Sequence, residues 1–207
     1  MKAVTDINSY RLAVAIVALL LALSTPVVLA DDHGFTNTYN YVQVHALQAE
    51  YADIPAFSLR GAEVRAGFNV GQMFGEFRYR DTVDKPGASQ LDEDRWNISL
   101  GYAFRSRNRT HFDLRLNYGE LDLDGRSPGG NLVAGIDYFG VSGFVHHQLS
   151  EKWRVYAGLE QQNWQGWSTQ KAYHLGTMYQ LGWAVLGAEY IKYSDSDSIS
   201  MFLRYEF

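Results

Sequence analysis

The 207-residue chain has no cysteine, which excludes disulfides, thiol nucleophiles and thiolate metal sites. Its formal charge of −5 comes without a basic stripe, so a nucleic-acid partner is not expected. The 14 tyrosines, 11 phenylalanines and 5 tryptophans against only 4 prolines favour strands over disorder.

The first element reads as an export segment. Lys2 and Arg11 precede the run LAVAIVALLLAL, and STPVVLA closes it with Val28 and Ala30. A charged start, a short apolar stretch and a small-residue box predict a secretory signal peptide over residues 1–30, cut after Ala30. Pro26 shortens the helical part below the roughly 20 residues a membrane helix needs. Loss of Lys2, Arg11 and Asp6 leaves residues 31–207 one unit more acidic, as a single barrel domain. No later stretch has the length of a membrane helix, so any membrane crossing would be made by strands.

Period-two alternation then marks about ten strands. They run from Tyr39 to Tyr51, Leu59 to Val70, Gln72 to Thr82, Arg95 to Phe104 and Thr110 to Leu121. The second five run from Val133 to Gln148, Trp153 to Asn163, Lys171 to Leu181, Trp183 to Tyr193 and Ser198 to Phe207. Tight turns (NVGQ, RSRN, LSEK, LGW) alternate with longer connections (ADIPAFS, VDKPGASQLDED, DLDGRSPGG, WQGWSTQ, SDSD). Outer-membrane barrels have short periplasmic turns and longer outer loops in that order. An even strand count puts both termini on the periplasmic side.

Each strand has one apolar and one polar face. In the fifth, Phe112, Leu114, Leu116 and Tyr118 oppose His111, Asp113, Arg115 and Asn117. Gly61, Gly67, Gly101, Gly119, Gly140, Gly158, Gly176 and Gly187 all share the polar face. Glycine weakens a strand and gains little on an open surface, whereas in a narrow lumen it makes room for bulky arginines. The polar face is therefore expected inside. It carries Glu63, Arg65, Glu76, Arg78, Arg80 and Arg95 on the earlier strands, and Asp113, Arg115, Arg154, Glu160, Glu189 and Arg204 on the later ones. Opposite charges can pair there, as buried charges must. Aromatics near both strand ends match the two girdles of a membrane barrel.

The last strand, SISMFLRYEF, places Ile199, Met201, Leu203, Tyr205 and Phe207 on one face. It looks like the carboxyl-terminal assembly signal of bacterial outer-membrane proteins, matched at Ser200, Tyr205 and Phe207, with Phe202 where the pattern has glycine. With YNYVQV near the start and GYAF ending a strand, residues 35–207 resemble the small outer-membrane β-barrels of Gram-negative bacteria, loosely the outer membrane protein A-like group. The resemblance implies an all-β, antiparallel, up-and-down transmembrane barrel of about ten strands, eight being the alternative. It also implies outer-membrane lipid and lipopolysaccharide around a monomer, and the barrel assembly machinery at the closing strand.

No chemistry stands out. Ser142 and His146 on one strand lie about 13 Å apart at ~3.3 Å per residue, too far to act as nucleophile and base. His45, His111, His146 and His174 fall on lumen faces and read as packing. The acidic connections DKPGASQLDED and SDSDS lack the ligand spacing of a calcium loop. The expectation is a non-enzymatic scaffold with a side-chain-filled lumen, no cofactor, no metal and environment-facing loops. The alternative is a narrow porin-like pore for ions or small solutes; a lipid or peptide hydrolase ranks third.

Overall fold

The computed structural model describes residues 39–207 except 53, 55, 56, 105–108, 167 and 168. The expected signal peptide, residues 1–30, lies outside the described residues. Ten strands follow one another: β1 (Tyr41–Tyr51), β2 (Ser58–Val70), β3 (Met73–Asp84), β4 (Gln90–Phe104) and β5 (Thr110–Ser127). The chain continues through β6 (Gly130–Gln148), β7 (Trp153–Trp164), β8 (Thr169–Leu181), β9 (Ala184–Tyr193) and β10 (Ser196–Glu206). Each strand pairs antiparallel with its sequence neighbours, and β10 pairs with β1 to close the barrel. Closure gives the strands of the barrel wall a partner on both sides, which a backbone in hydrocarbon requires. The Phe207 N–H extends the seam by donating to the Asn40 carbonyl at 3.0 Å.

The barrel is apolar outside and charged inside. Phe112, Leu114 and Leu116 are 52–54 % exposed, whereas Asp113 and Arg115 between them are 1 % and 6 % exposed. Every other residue changes face, so the sequence alternation reads directly as outside against inside.

Three strand limits differ from expectation by three residues or more. β4 begins at Gln90 rather than Arg95, β5 continues to Ser127 rather than Leu121, and β6 starts at Gly130 rather than Val133. The supposed loops VDKPGASQLDED and DLDGRSPGG are mostly paired strand, with turns only around 85–89 and 128–129. Asp, Gly and Pro signal turns locally, but the cross-strand ladder carries these sequences upward: Gln90 pairs with Arg126, and Gly130 with Ser127. The upper ends of β4, β5 and β6 thus rise above the rest of the barrel as a wall, whereas β3 ends level with β2, its Val83 opposite Arg60.

The inward glycines do make room, but for rings and not for arginines. Gly158 lies directly opposite Phe144, and a Cβ there would sit 2.3 Å from the ring. Gly176 stands opposite Tyr156 in the same way, at 2.1 Å. Four more glycine–aromatic pairs follow this rule: Gly67 with Tyr41, Gly101 with Phe74, Gly119 with Tyr138, and Gly187 with Phe202. A ring lying flat across the neighbouring strand fills a narrow lumen that upright side chains would overcrowd.

Candidate functional site: the charged lumen

Among the described residues, the lumen gathers paired ionisable side chains of both signs. Arginines and carboxylates two residues apart share a face, and four consecutive strands use this spacing: Glu63 with Arg65, Glu76 with Arg78, Glu93 with Arg95, and Asp113 with Arg115. Strand β10 repeats it in reverse with Arg204 and Glu206.

At the turn end, Tyr39 stacks on Phe74 at 3.7 Å and donates to Asp113 at 2.8 Å. Asp113 also takes Arg115 Nε at 2.7 Å and lies 2.8 Å from His146 Nε2, which is stacked on His111. Arg154 reaches Glu206 at 3.0 Å.

In the middle, Arg115 bridges to Glu76 at 3.3 Å with its guanidinium 4.3 Å from the Phe144 ring centre. Arg78 and Tyr41 both hydrogen-bond Glu76. Arg204 lies 3.9 Å over the Tyr41 ring and donates to Gln43 at 2.5 Å. Arg65 joins Glu63 to Glu189, the latter at 2.6 Å. Arg80 adds a second contact to Glu63 at 3.0 Å, and His174 meets Glu160 at 3.0 Å.

At the loop end, the Arg95 guanidinium stands 5.5–5.8 Å from three ring centres, those of Tyr138, Trp164 and Tyr193. Tyr51 donates to Glu93 at 2.5 Å.

All twelve charged residues expected in the lumen therefore point inward, and they form three connected layers. Two further carboxylates belong with them. Glu93, fully buried, sits in a stretch whose composition reads as loop; the acid-x-arginine spacing of the neighbouring strands was the signal for it. Glu206, two residues from Arg204 on the polar face of β10, follows from the same spacing in reverse.

One serine–histidine contact also exists, between His45 Nδ1 and Ser200 Oγ at 3.0 Å. The other ring nitrogen of His45 is taken by Gln43, with the Glu63 carboxylate 3.9 Å away. A hydrolytic triad needs that carboxylate on the imidazole and a path for substrate to the serine; this contact faces a packed interior. Ser142 is occupied by Asn117, at 3.0 Å.

Outside, Phe104, Phe112, Trp153 and Tyr179 lie toward the turn end, and Trp96, Tyr118, Tyr173 and Tyr190 toward the loop end, with an aliphatic band between them. Such a band between aromatic belts is the outer surface of a membrane barrel. The chain folds as a small outer-membrane-type β-barrel. Among solved structures, the barrel is similar to the NanC porin, with a TM-score of 0.53 at 7 % identity over 80 % of this chain and 100 % of that one. Others are neisserial surface protein A (TM-score 0.45, 13 % identity, 81 % and 96 % covered) and the N-terminal β-barrel domain of Pseudomonas aeruginosa OprF (0.45, 11 %, 83 % and 100 %). No protein-family model and no curated protein matches the sequence.

Proposed function

We propose that the protein is a non-enzymatic outer-membrane barrel whose sealed interior makes it a scaffold for the hairpins at its loop end. The observation that supports this is the charge-matched filling of the lumen. Arg65, Arg78, Arg80, Arg95, Arg115, Arg154 and Arg204 face Glu63, Glu76, Glu93, Asp113, Glu160, Glu189 and Glu206, one carboxylate for each guanidinium. Aromatic rings occupy much of the remaining space, and the cavity left among Tyr41, Arg65, Glu76 and Arg204 measures about 30 Å³. That volume holds about two waters. The porin reading draws on the likeness to NanC, which at 7 % identity is a likeness of fold; the packed layers speak against it.

The apolar band and aromatic belts support an outer-membrane site in a Gram-negative bacterium, reached through the export segment 1–30, with lipid and lipopolysaccharide against the outer face of a monomer. On the same reading, Ser200, Tyr205 and Phe207 present β10 to the barrel assembly machinery. Deleting Phe207 removes the last bond of the seam, to Asn40. It is expected to slow accumulation in the outer membrane; wild-type accumulation of the shortened chain would end that assignment.

The scaffold reading is tested by planar-bilayer conductance of the refolded protein, with folding checked by heat-modifiable migration. Silence is expected. Reproducible unitary steps from folded barrels would replace the scaffold with a pore and make the arginine layers its selectivity filter.

A further inference from the structure

Among the described residues, the upper end of β6 has a neighbouring strand on one side only. Strand β6 pairs with β7 only from Tyr138, opposite Trp164, to Gln148. Above that point residues 130–137 pair with β5 alone, from Asp137 opposite Glu120 up to Gly130 opposite Ser127. The Asp137 carbonyl faces the open side, because it accepts the Gln165 N–H at 3.0 Å just past the end of β7. In a strand, the N–H and C=O of one residue point to the same side and alternate along the chain. Asn131, Val133 and Gly135 therefore aim their backbone groups at that open side, where none bonds to another described residue.

Exposed edges are normally blunted by charge, proline or a bulge. The stretch NLVAGI over residues 131–136 has none of these. Val133 and Leu132 are 79 % and 58 % exposed, both large for side chains on a water-facing hairpin. An uncharged, unbulged edge of this length is a template for another strand.

We propose that residues 131–136 of β6 are a strand-addition site for an extended peptide that alternates basic and apolar residues. The two faces of the wall specify that alternation. On the inner face, Leu132, Ala134 and Ile136 continue the row begun by Leu121 and Leu123 on β5. On the outer face, Asp122 and Asp124 stand opposite Gly135 and Val133, and Glu120 opposite Asp137. Because Gly135 has no side chain, these acids lean across it. The Asp122 Oδ1 lies 3.0 Å, and a Glu120 carboxylate oxygen 3.9 Å, from where a Gly135 Cβ would be. Carboxylates brought to the edge meet the first outward side chain of an added strand, and lysine or arginine suits that place. The next residue, on the inner face, meets leucine.

A second copy does not fit the edge. On the membrane reading proposed above, two copies in one membrane are related by an axis along its normal, and β6 edges tilted about 40° to that axis cross each other steeply. Crossed edges touch at one point only, and no ladder forms.

The probe is a nine-residue peptide of alternating lysine and valine, with its glutamate–valine counterpart as control, added to the full-length folded protein in detergent. Amide hydrogen exchange is read residue by residue and affinity by fluorescence anisotropy. The lysine peptide is expected to slow exchange at Asn131, Val133 and Gly135 at least tenfold, and the glutamate peptide to leave them unchanged. Val133→Pro removes an N–H from the open side without touching the β5 ladder, as edge strands tolerate, and is expected to weaken binding at least tenfold. Val133→Lys is expected to do the same by charge if proline disturbs the hairpin. The proposal fails if the three amides are already protected without peptide, since the chain then covers its own edge. It fails equally if both variants bind like the parent, which would mean adhesion to the acidic face alone, or if the lysine peptide protects nothing. None of these outcomes bears on whether the lumen conducts, so the two readings stand or fall separately.

Discussion

Arg115 sits where the lumen's two kinds of packing meet. Its guanidinium holds Asp113 at 2.7 Å and Glu76 at 3.3 Å while lying against Phe144, whose ring covers Gly158. Removing the arginine takes one partner from each of two buried carboxylates, leaving Asp113 with Tyr39 and His146 and Glu76 with Arg78 and Tyr41. Breaking a buried pair costs about 3–5 kcal/mol, more than the intact pair contributes. Arg115→Ala is therefore expected to lower unfolding stability in detergent by about 3 kcal/mol. Asp113→Ala in the same background should cost far less than it does alone, because its partner is already gone. Additive effects in that cycle would mean that water reaches both groups. The charge pairs were partly legible in the sequence, since an acid two residues from an arginine on one face recurs from strand to strand. The ring-over-glycine pairs were not. The eight glycines announce a crowded face, but which six of them lie opposite a ring, and which ring, depends on register, and register is not visible in a list of strands.

At the scale of elements, the hairpins answer to two different constraints. The lower parts of β5 and β6 are held by the closed ladder and the lumen layers. Above Leu121 and Ile136 the same strands contribute to none of the lumen ion pairs described above. Replacing residues 122–135 by an Asn-Gly turn, which suits a two-residue hairpin, is expected to leave a folded barrel with a melting temperature within a few degrees of the parent. A collapse in yield or a large drop in melting would show that the wall supports the barrel rather than standing on it. This is also where sequence reading stopped short. Local turn chemistry at Pro86, Gly87, Pro128 and Gly129 marks both hairpin tips correctly, but acidic residues such as Asp92, Asp94, Asp122 and Asp124 look like loop when they are the outer face of strands. Alternation continues through them: Leu91 and Glu93 face inward on β4, and Leu121 inward on β5, all buried. A period of two with charge in place of apolar groups is still a strand once it has left the membrane.

For the molecule as a whole, salt separates a dry interior from a wet one. The screening length shrinks from about 10 Å at 0.1 M to about 3 Å at 1 M, and it acts on charges in contact with solvent. Exposed pairs such as Lys192 with Asp197 at 3.8 Å, or Arg126 with Asp124 at 2.9 Å, contribute little at any ionic strength. The outer carboxylates of the wall repel one another, and salt relieves that repulsion. The attractive layers, from Asp113–Arg115 to Glu63–Arg65, lose their strength only if water and ions enter the lumen. A sealed barrel should therefore melt at the same temperature or slightly higher when sodium chloride is raised from roughly 0.1 to 1 M. Surface relief pushes the midpoint up and the weak exposed pairs pull it down only slightly, so a marked downward shift points to ions penetrating between the arginines and their carboxylates. Thermal melts of the parent across that range would show it. A falling midpoint would mean that the layers line a hydrated passage, and the scaffold reading would give way to the pore even if single-channel steps were too small to resolve.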